Sequence, residues 1–341
     1  MRIILDGMGG DNAPVEIVKG AVLASGEIDH EIYIVGKEDL IKAELSKYDY
    51  DEKKIKVVHA SEVIENEDSP VKAIRRKKDS SMVVGLNMIK NGEGDLWVSA
   101  GNTGAQVVGG RLILGKIDGI DRPALASIYP ILGSQPSLLV DAGASSESKA
   151  HHLLEYGTMG SLFVEKVWGR PNPKVGLVNI GAEETKGTTA TKEAYKMLSQ
   201  APINFTGNVE AREVPAGAVD VIVCDGFVGN VILKLTEGLA LNILKLIKKK
   251  FLDGLKAKIG AIFLKNKLYE MKQEFDYSEY GGAPILGIDG PMIKMHGSSE
   301  ANAVKNTIIK GIPYAENNVI QTIKDAMAEL EEIIVTEEEE A

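Results

Sequence analysis

The chain has 341 residues, 44% of them hydrophobic, and carries 39 Lys+Arg against 49 Asp+Glu, a net charge of −10. That is enough apolar material for one large α/β domain or two lobes, and the acidic balance argues against generic nucleic-acid binding. A single cysteine, Cys224, excludes an internal disulfide framework and suits a reducing cytoplasm.

The chain opens on Ile3-Ile4-Leu5, closed by Asp6-Gly7-Met8-Gly9-Gly10-Asp11-Asn12-Ala13-Pro14. This reads as a buried strand running into a tight glycine loop, then a helix capped by Asp11 or Asn12 with Pro14 in its first turn. Because the N-terminus enters a strand at once, no signal peptide is expected, and no uninterrupted apolar run has the length of a bilayer span. Residues 1–36 read β-α-β, with a second strand over Glu31–Gly36. A nicotinamide site is disfavoured: the first loop lacks G-x-G-x-x-G spacing, and the second strand ends on Gly36, not on an acid for a ribose. Lys37–Lys54 reads as a charged helix, Ile55–His59 as a strand, and Val71–Lys78 as a helix whose Arg75-Arg76-Lys77-Lys78 is a solvated face or an anion-docking patch.

The strand-to-glycine-loop grammar recurs at Ser99-Ala100-Gly101-Asn102-Thr103-Gly104, Asp141-Ala142-Gly143-Ala144, Asn179 through Gly187, and Asp225-Gly226-Phe227-Val228-Gly229-Asn230. Glycine turns at helix N-termini expose backbone N–H groups that favour anions. Strand ends in an open α/β sheet are expected to converge on one crevice, so these loops can build one site. Further strands are predicted at Leu96–Ser99, Lys174–Ile180 and Val219–Cys224, with a helix capped by Thr188 or Thr189. Adjacent His151 and His152 on a helix point in different directions, so no two-ligand metal face is predicted. Cys224 reads as a buried strand thiol in preference to an acyl-carrying nucleophile.

From Val231 the pattern changes. Ile232, Leu235, Leu239, Ile243 and Leu246 recur at spacings of three and four, the seam of a long helix. A second helix is expected from about Asn266 to Phe275. Over residues 245–272 nine lysines face only Asp253 and Glu270. Between the helices, Ile259, Ile262, Phe263 and Leu264 form an apolar tip rimmed by lysines, the composition of an interfacial anchor. Residues 280–303 return to loop chemistry and end in His296-Gly297-Ser298-Ser299, where a serine would cap a helix through Val304 and Ile308. A last amphipathic helix precedes a disordered acidic tail over residues 336–341.

These motifs, Asp6 through Pro14, Ser99 through Ala105, Asp225 through Asn230, Tyr280 through Ala283 and His296 through Ser299, together resemble the phosphate acyltransferase family of bacterial phospholipid synthesis over nearly the whole chain. The resemblance implies an α/β/α sandwich like isocitrate and isopropylmalate dehydrogenases and phosphotransacetylase. Residues 1–335 would be one catalytic domain, with a protruding helical hook at 231–275 for dimerisation and a membrane tip. It implies transfer of a long-chain acyl group from acyl carrier protein, or CoA, to inorganic phosphate, without cofactor or metal, in a cytoplasmic homodimer lying peripherally on the inner face of the cell membrane. Its acyl phosphate would pass to a membrane glycerol-3-phosphate acyltransferase. One departure stands out: Ser145 follows Asp141–Ala144 where the family leads us to expect Asn.

On this resemblance Lys186 serves phosphate or the developing oxyanion, and Asn230 and Asn102 orient substrate and donate to the oxyanion. Asp225 orients Lys186 or a backbone N–H, and His296 is a candidate acid for the leaving thiolate. Asp6, Gly9, Gly10, Asp11, Asn12, Thr103, Gly104, Ser298 and Ser299 are expected to line the substrate site. The rival readings are a phosphotransacetylase acting on small acyl-CoA, a decarboxylating dehydrogenase, and a non-enzymatic acyl- or phosphate-binding regulator.

Overall fold

The computed structural model describes residues 1–254, 260, 261, 263, 264, 266, 267 and 281–340, the last ten by backbone alone. Eleven strands form one sheet: β1 Arg2–Asp6, β2 Glu31–Gly36, β3 Ile55–His59, β4 Leu96–Ser99, β5 Ala124–Tyr129, β6 Ser137–Val140, β7 Val175–Asn179, β8 Phe205–Glu210, β9 Val221–Val223, β10 Ala283–Leu286 and β11 Met292–Lys294. Their order is β3-β2-β1-β4-β11-β10-β5-β6-β9-β7-β8. Ten α-helices are described: α1 Val15–Ser25, α2 Glu38–Leu45, α3 Pro70–Arg76, α4 Ser81–Lys90, α5 Thr103–Gly109, α6 Ala150–Trp168, α7 Thr189–Gln200, α8 Gly226–Phe251, α9 Ala301–Glu316 and α10 Val319–Glu340.

Continuous apolar runs such as Ile3-Ile4-Leu5 make strands covered on both faces, and all three side chains are fully buried. Side-chain alternation divides them between two cores. One core packs Ile3, Leu5, Val98, Val140 and Ile293 against α1, α2, α6, α7, α9 and α10. The other packs Ile4, Trp97, Leu125, Leu139 and Met292 against α3, α4, α5 and the start of α8. The expected α/β/α sandwich is what the chain forms.

The convergence of all strand ends on one crevice is corrected. The β3-β2-β1-β4-β11 half is parallel, and so is β6-β9-β7-β8. Between them β10 and β5 make three antiparallel pairings in succession. The two parallel halves therefore run in opposite directions, and their C-terminal loops leave opposite edges of the sheet. Residues 283–294, expected as loop, supply the two short strands at this reversal. Three- and four-residue strands between glycines are too brief to show periodicity.

Several boundaries differ from expectation. The helix expected over Lys37–Lys54 ends at Leu45. The first helix starts at Val15 with Pro14 in the cap position and no side-chain cap, because Asp11 and Asn12 turn elsewhere. Neither Ser298 nor Ser299 caps α9; Glu16 of α1 accepts from Ala301 N at 2.8 Å instead. Thr188 does cap α7. Helix α10 runs on through Glu340, so the acidic stretch expected as a disordered tail continues it, as the high helix propensity of Glu allows. The expected hook falls partly outside the described residues, including Ile259, Ile262 and most of the second helix, and so does Tyr280 of the Tyr280–Ala283 motif. Helix α8 begins at Gly226, earlier than expected, and is long and apolar enough to cross a membrane; only 11% of its most apolar window is buried.

Candidate active site

The first loop cluster gathers around Asp6, which is buried at the end of β1 and shares a face with Ser99. Its Oδ2 accepts from Ser99 Oγ at 2.7 Å and its Oδ1 from Met8 N at 3.1 Å. Burial raises the Asp6 pKa, and the hydroxyl and backbone donors oppose the rise. Gly10 sits at φ +97°, and a Cβ there would meet Ala100 Cβ at 2.8 Å and the Gly297 carbonyl at 2.9 Å. Only glycine lets the first loop lie so close to the others. Asp11 N donates to Gly297 O at 2.8 Å, and Asn12 Nδ2 donates to Ser298 O and Ser299 O at 3.2 and 3.4 Å. Asp6, Gly9, Gly10, Asp11, Asn12, Ser298 and Ser299 are thus brought together as expected.

Asn102 joins this cluster in a different capacity. Its Oδ1 caps α5 by accepting from Ala105 N at 2.9 Å, and its Nδ2 donates to the carbonyls of Glu65, Asn66 and Asp68 at 3.0–3.3 Å. The side chain staples two loops and fixes Thr103 and Gly104 at the head of α5. Nearby, His296 Nδ1 accepts from Ser298 N at 3.2 Å and pairs with Ser298 Oγ at 2.8 Å. Burial first, then the charges of Lys294 and Lys234, pushes the His296 pKa below its ordinary 6.5. The neutral ring suits hydrogen-bond donation better than delivery of a proton.

The second cluster is built on Asp141, fully buried at the end of β6. Its Oδ1 accepts from the backbone N–H groups of Leu125, Gly143 and Ala144 at 2.9–3.0 Å. Its Oδ2 takes both the N–H and the Oγ–H of Ser145 at 2.9 Å, and Ser145 Oγ lies 3.1 Å from Tyr156 OH. Ser145, in place of the expected Asn, is therefore part of the clasp that shapes this loop. Gly143 at φ +128° presents its open face to the Asn230 side chain, 3.4 Å from where a Cβ would stand. The Asn230 amide has no hydrogen-bond partner among the described residues. Asp225 caps α8 by accepting from Val228 N at 2.8 Å, so of its two expected roles the structure displays the backbone one. Lys186 stands exposed on the loop after β7, the neighbour of β9, and makes no ion pair among the described residues. Cys224 is buried and its pKa is raised well above the ordinary value by desolvation, as expected of a structural thiol.

Sequence reasoning missed Lys294. It ends β11 in register with Ser99 and, two residues after Met292, lies on the sheet face against which the first turns of α8 pack. The available signal was a lone lysine inside Met292-Ile293-Lys294-Met295. Register relates the clusters: Lys294 is level with Ala283, and Val140 with Ala126, so Asp141 is set back by two residues and three strand spacings. That is about 7 Å along the strands and about 14 Å across, roughly 16 Å in all. Helix α8 runs from the Asp225 cap toward the first cluster, placing Thr236 Oγ1 2.9 Å from Tyr129 OH.

A third group corrects the expectation that His151 and His152 point apart. Both Nε2 atoms approach Asp121 Oδ2, at 3.5 and 2.7 Å. In the first turn of α6 both rings can reach a carboxylate on the loop that leads into β5. This is the geometry of a metal cluster, yet His152 Nδ1 accepts from Lys149 N at 3.0 Å. Its proton must then sit on Nε2 and point at Asp121, so no lone pair is left for a metal. The pairing holds Asp121 down to about 2.

The sandwich, with its reversal at the sheet centre, is the fold of an acyl-transferring phosphotransacetylase. A phosphotransacetylase from Streptococcus pyogenes superposes with a TM-score of 0.63 at 15% identity, covering 92% of this chain and 94% of its own. The EutD phosphotransacetylase of Staphylococcus aureus gives 0.60 at 16%, covering 93% and 94%. Residues 1–322 match the family described as fatty acid synthesis protein, and the chain belongs to that family. The phosphate acyltransferase of Alkaliphilus oremlandii (strain OhILAs) is 54% identical over 330 residues, 97% of this chain and 98% of that protein. The phosphate acyltransferase of Clostridioides difficile (strain 630) is 48% identical over 332 residues, 97% and 98% of the two chains.

Proposed function

We propose that this protein transfers a long-chain acyl group from the thioester of acyl carrier protein to inorganic phosphate, giving acyl phosphate and the free thiol for glycerophospholipid synthesis. The observation that carries this reading is the near-full-length 54% identity to a phosphate acyltransferase. A phosphate oxygen attacks the thioester carbonyl, the C–S bond breaks, and the proton of hydrogen phosphate ends on the leaving sulfur. Phosphate is already a strong nucleophile at neutral pH, so the protein's task is alignment and charge compensation, which can supply ~7–11 kcal/mol of the barrier. Lys186, the Asn230 amide and the N–H groups of Gly226 and Phe227 at the head of α8 are the candidates to hold the thioester carbonyl or phosphate, since those after Asp141 are taken by its carboxylate; oxyanion donors contribute roughly 3–4 kcal/mol each. Asn102 and Asp225 shape the loops, and Thr103, Gly104, Ser298 and Ser299 border the opposite side.

Helix α8 supports assembly as a homodimer, since Leu235, Leu239 and Leu246 are 68%, 58% and 56% exposed on one seam. The lysine-rich sequence beyond it, in which Phe263 is 83% exposed, suits an anionic membrane surface on the cytoplasmic side. There the membrane-seeking product would reach a glycerol-3-phosphate acyltransferase. The test of the activity is incubation of the purified protein with palmitoyl-acyl carrier protein or acetyl-CoA, with and without phosphate, in the presence of a thiol reagent. Phosphate-dependent thiol release from the palmitoyl donor alone supports the reading. Release from acetyl-CoA alone would make it a phosphotransacetylase, and no release at all would leave a binding protein.

A further inference from the structure

Lys294 occupies the fifth of eleven strands, at the edge where β1, β4 and β11 end together. It is half-buried on the face that α8 covers. Its Nζ donates to the Met295 carbonyl at 2.8 Å, and it makes no ion pair among the described residues. Burial, and secondarily the charge of Lys234 on α8, brings its pKa down to about 8. Lys234 is exposed at the rim above it, and both lysines also act on His296. The carboxylates bearing on this group are Glu237 and Asp11, which act on His296, while Asp6 is already held by Ser99. Two like charges from separate elements, one of them half out of water, disfavour each other unless an anion joins them. A phosphate dianion has the oxygens to accept from both.

Resting on the acyl-transfer reading above, we propose that Lys294 and Lys234 form the binding site of the phosphate nucleophile, at the sheet edge where β4 and β11 end on Ser99 and Lys294. Asn230 precedes Lys234 by four residues on α8, about 6 Å along the helix, so the helix brings the amide of the second cluster toward this end. Lys186, on the loop after β7, is then left to the carbonyl oxygen and the carrier. Both lysines keep their protons throughout, and the bound dianion raises the Lys294 pKa again.

The test uses Lys294→Met and Lys234→Met in the full chain. Thermal unfolding is followed with and without inorganic phosphate, and KM is measured separately for phosphate and for the thioester. Lys294→Met without phosphate should unfold no lower than the parent, because it removes a poorly solvated charge. Both variants should lose the phosphate-induced rise in midpoint, and KM for phosphate should increase about 10- to 100-fold, the scale of one charge-assisted hydrogen bond. KM for the thioester should stay within about twofold of the parent, a change too small to reflect a lost hydrogen bond. Lys234→Met changes an exposed helix position, so it carries the same test if Lys294→Met does not fold. Unchanged phosphate KM and thermal response in both variants would overturn the proposal, as would a rise confined to the thioester KM. If the parent protein released no thiol, the acyl-transfer reading would fail. A phosphate-induced midpoint rise abolished by either substitution would then still establish the anion site.

Discussion

Glu155 offers a direct check on the electrostatics beside the second loop cluster. It lies on α6, is 7% exposed, and accepts from Asp121 N at 3.1 Å. Desolvation raises its pKa from 4.5 to about 7. Below pH 4.5 the carboxyl is protonated in folded and unfolded chains alike and the shift has no effect on stability. As pH rises, the unfolded chain ionises first, so stability falls until the folded group ionises too, near pH 7. The loss approaches about 1.4 kcal/mol per pH unit and accumulates to at most about 3 kcal/mol. Glu155→Gln mimics the protonated form and keeps an acceptor for Asp121 N. The variant should match the parent at pH 4.5 and exceed it by up to about 3 kcal/mol at pH 8. His152, whose pKa is lowered by burial, acts with the opposite sign below pH 6.5, but it is present in both proteins and cancels in the difference. Urea unfolding of the pair between pH 4.5 and 8 is the assay. Parallel stability curves, or a gap that widens toward low pH, would refute the reasoning.

Ser145→Ala removes a hydroxyl that serves both Asp141 and Tyr156, so it should lower stability by about 1–3 kcal/mol in urea unfolding and reduce turnover; parental values in both would remove the clasp from the argument. Leu239→Asp places a charge in the middle of the exposed α8 seam and should yield a monomer by light scattering at micromolar concentration; an unchanged dimer would put the interface elsewhere. Phe263→Asp combined with Leu264→Asp should abolish flotation with anionic vesicles and leave soluble turnover intact, whereas retained flotation would exclude the tip as the anchor.

The layers of the fold were legible because buried strands such as Ile3–Leu5 and Leu96–Ser99 are continuous apolar runs closed by polar or glycine residues. Motif spacing also marked the loops correctly: Asp6 through Asn12 does meet Ser298 and Ser299. What sequence did not reveal was direction. Nothing in Ala124–Tyr129 or Ala283–Leu286 says that these strands pair antiparallel, and that pairing alone separates the loops into two clusters. Side-chain roles were hidden for a related reason. An Asn at a strand end reads equally as a substrate donor or a cap, and only the three carbonyls around Asn102 Nδ2 decide for the staple. Lys294 escaped notice because a cation in an apolar strand becomes meaningful only once its neighbours, Ser99 on one side and Lys234 above, are known.

The reversal at the centre of the sheet also explains why α8 is so long. With the two loop clusters on opposite edges, some element has to run from one to the other, and α8 starts at the second cluster with the Asp225 cap. Its first turns pack Val228, Ile232 and Leu233 on the core, and Lys234 arrives over Lys294 two turns in. At 26 residues the helix spans about 39 Å, well beyond the sheet it has to cross. The excess carries the apolar seam of Leu239 and Leu246. A single rigid element therefore links the proposed anion site to the proposed interface. Whatever fixes the far end of α8 also fixes the height of Lys234 above Lys294, so the monomer formed by Leu239→Asp should bind phosphate more weakly than the dimer while its β-sheet core, and with it the Asp141 clasp, stays folded.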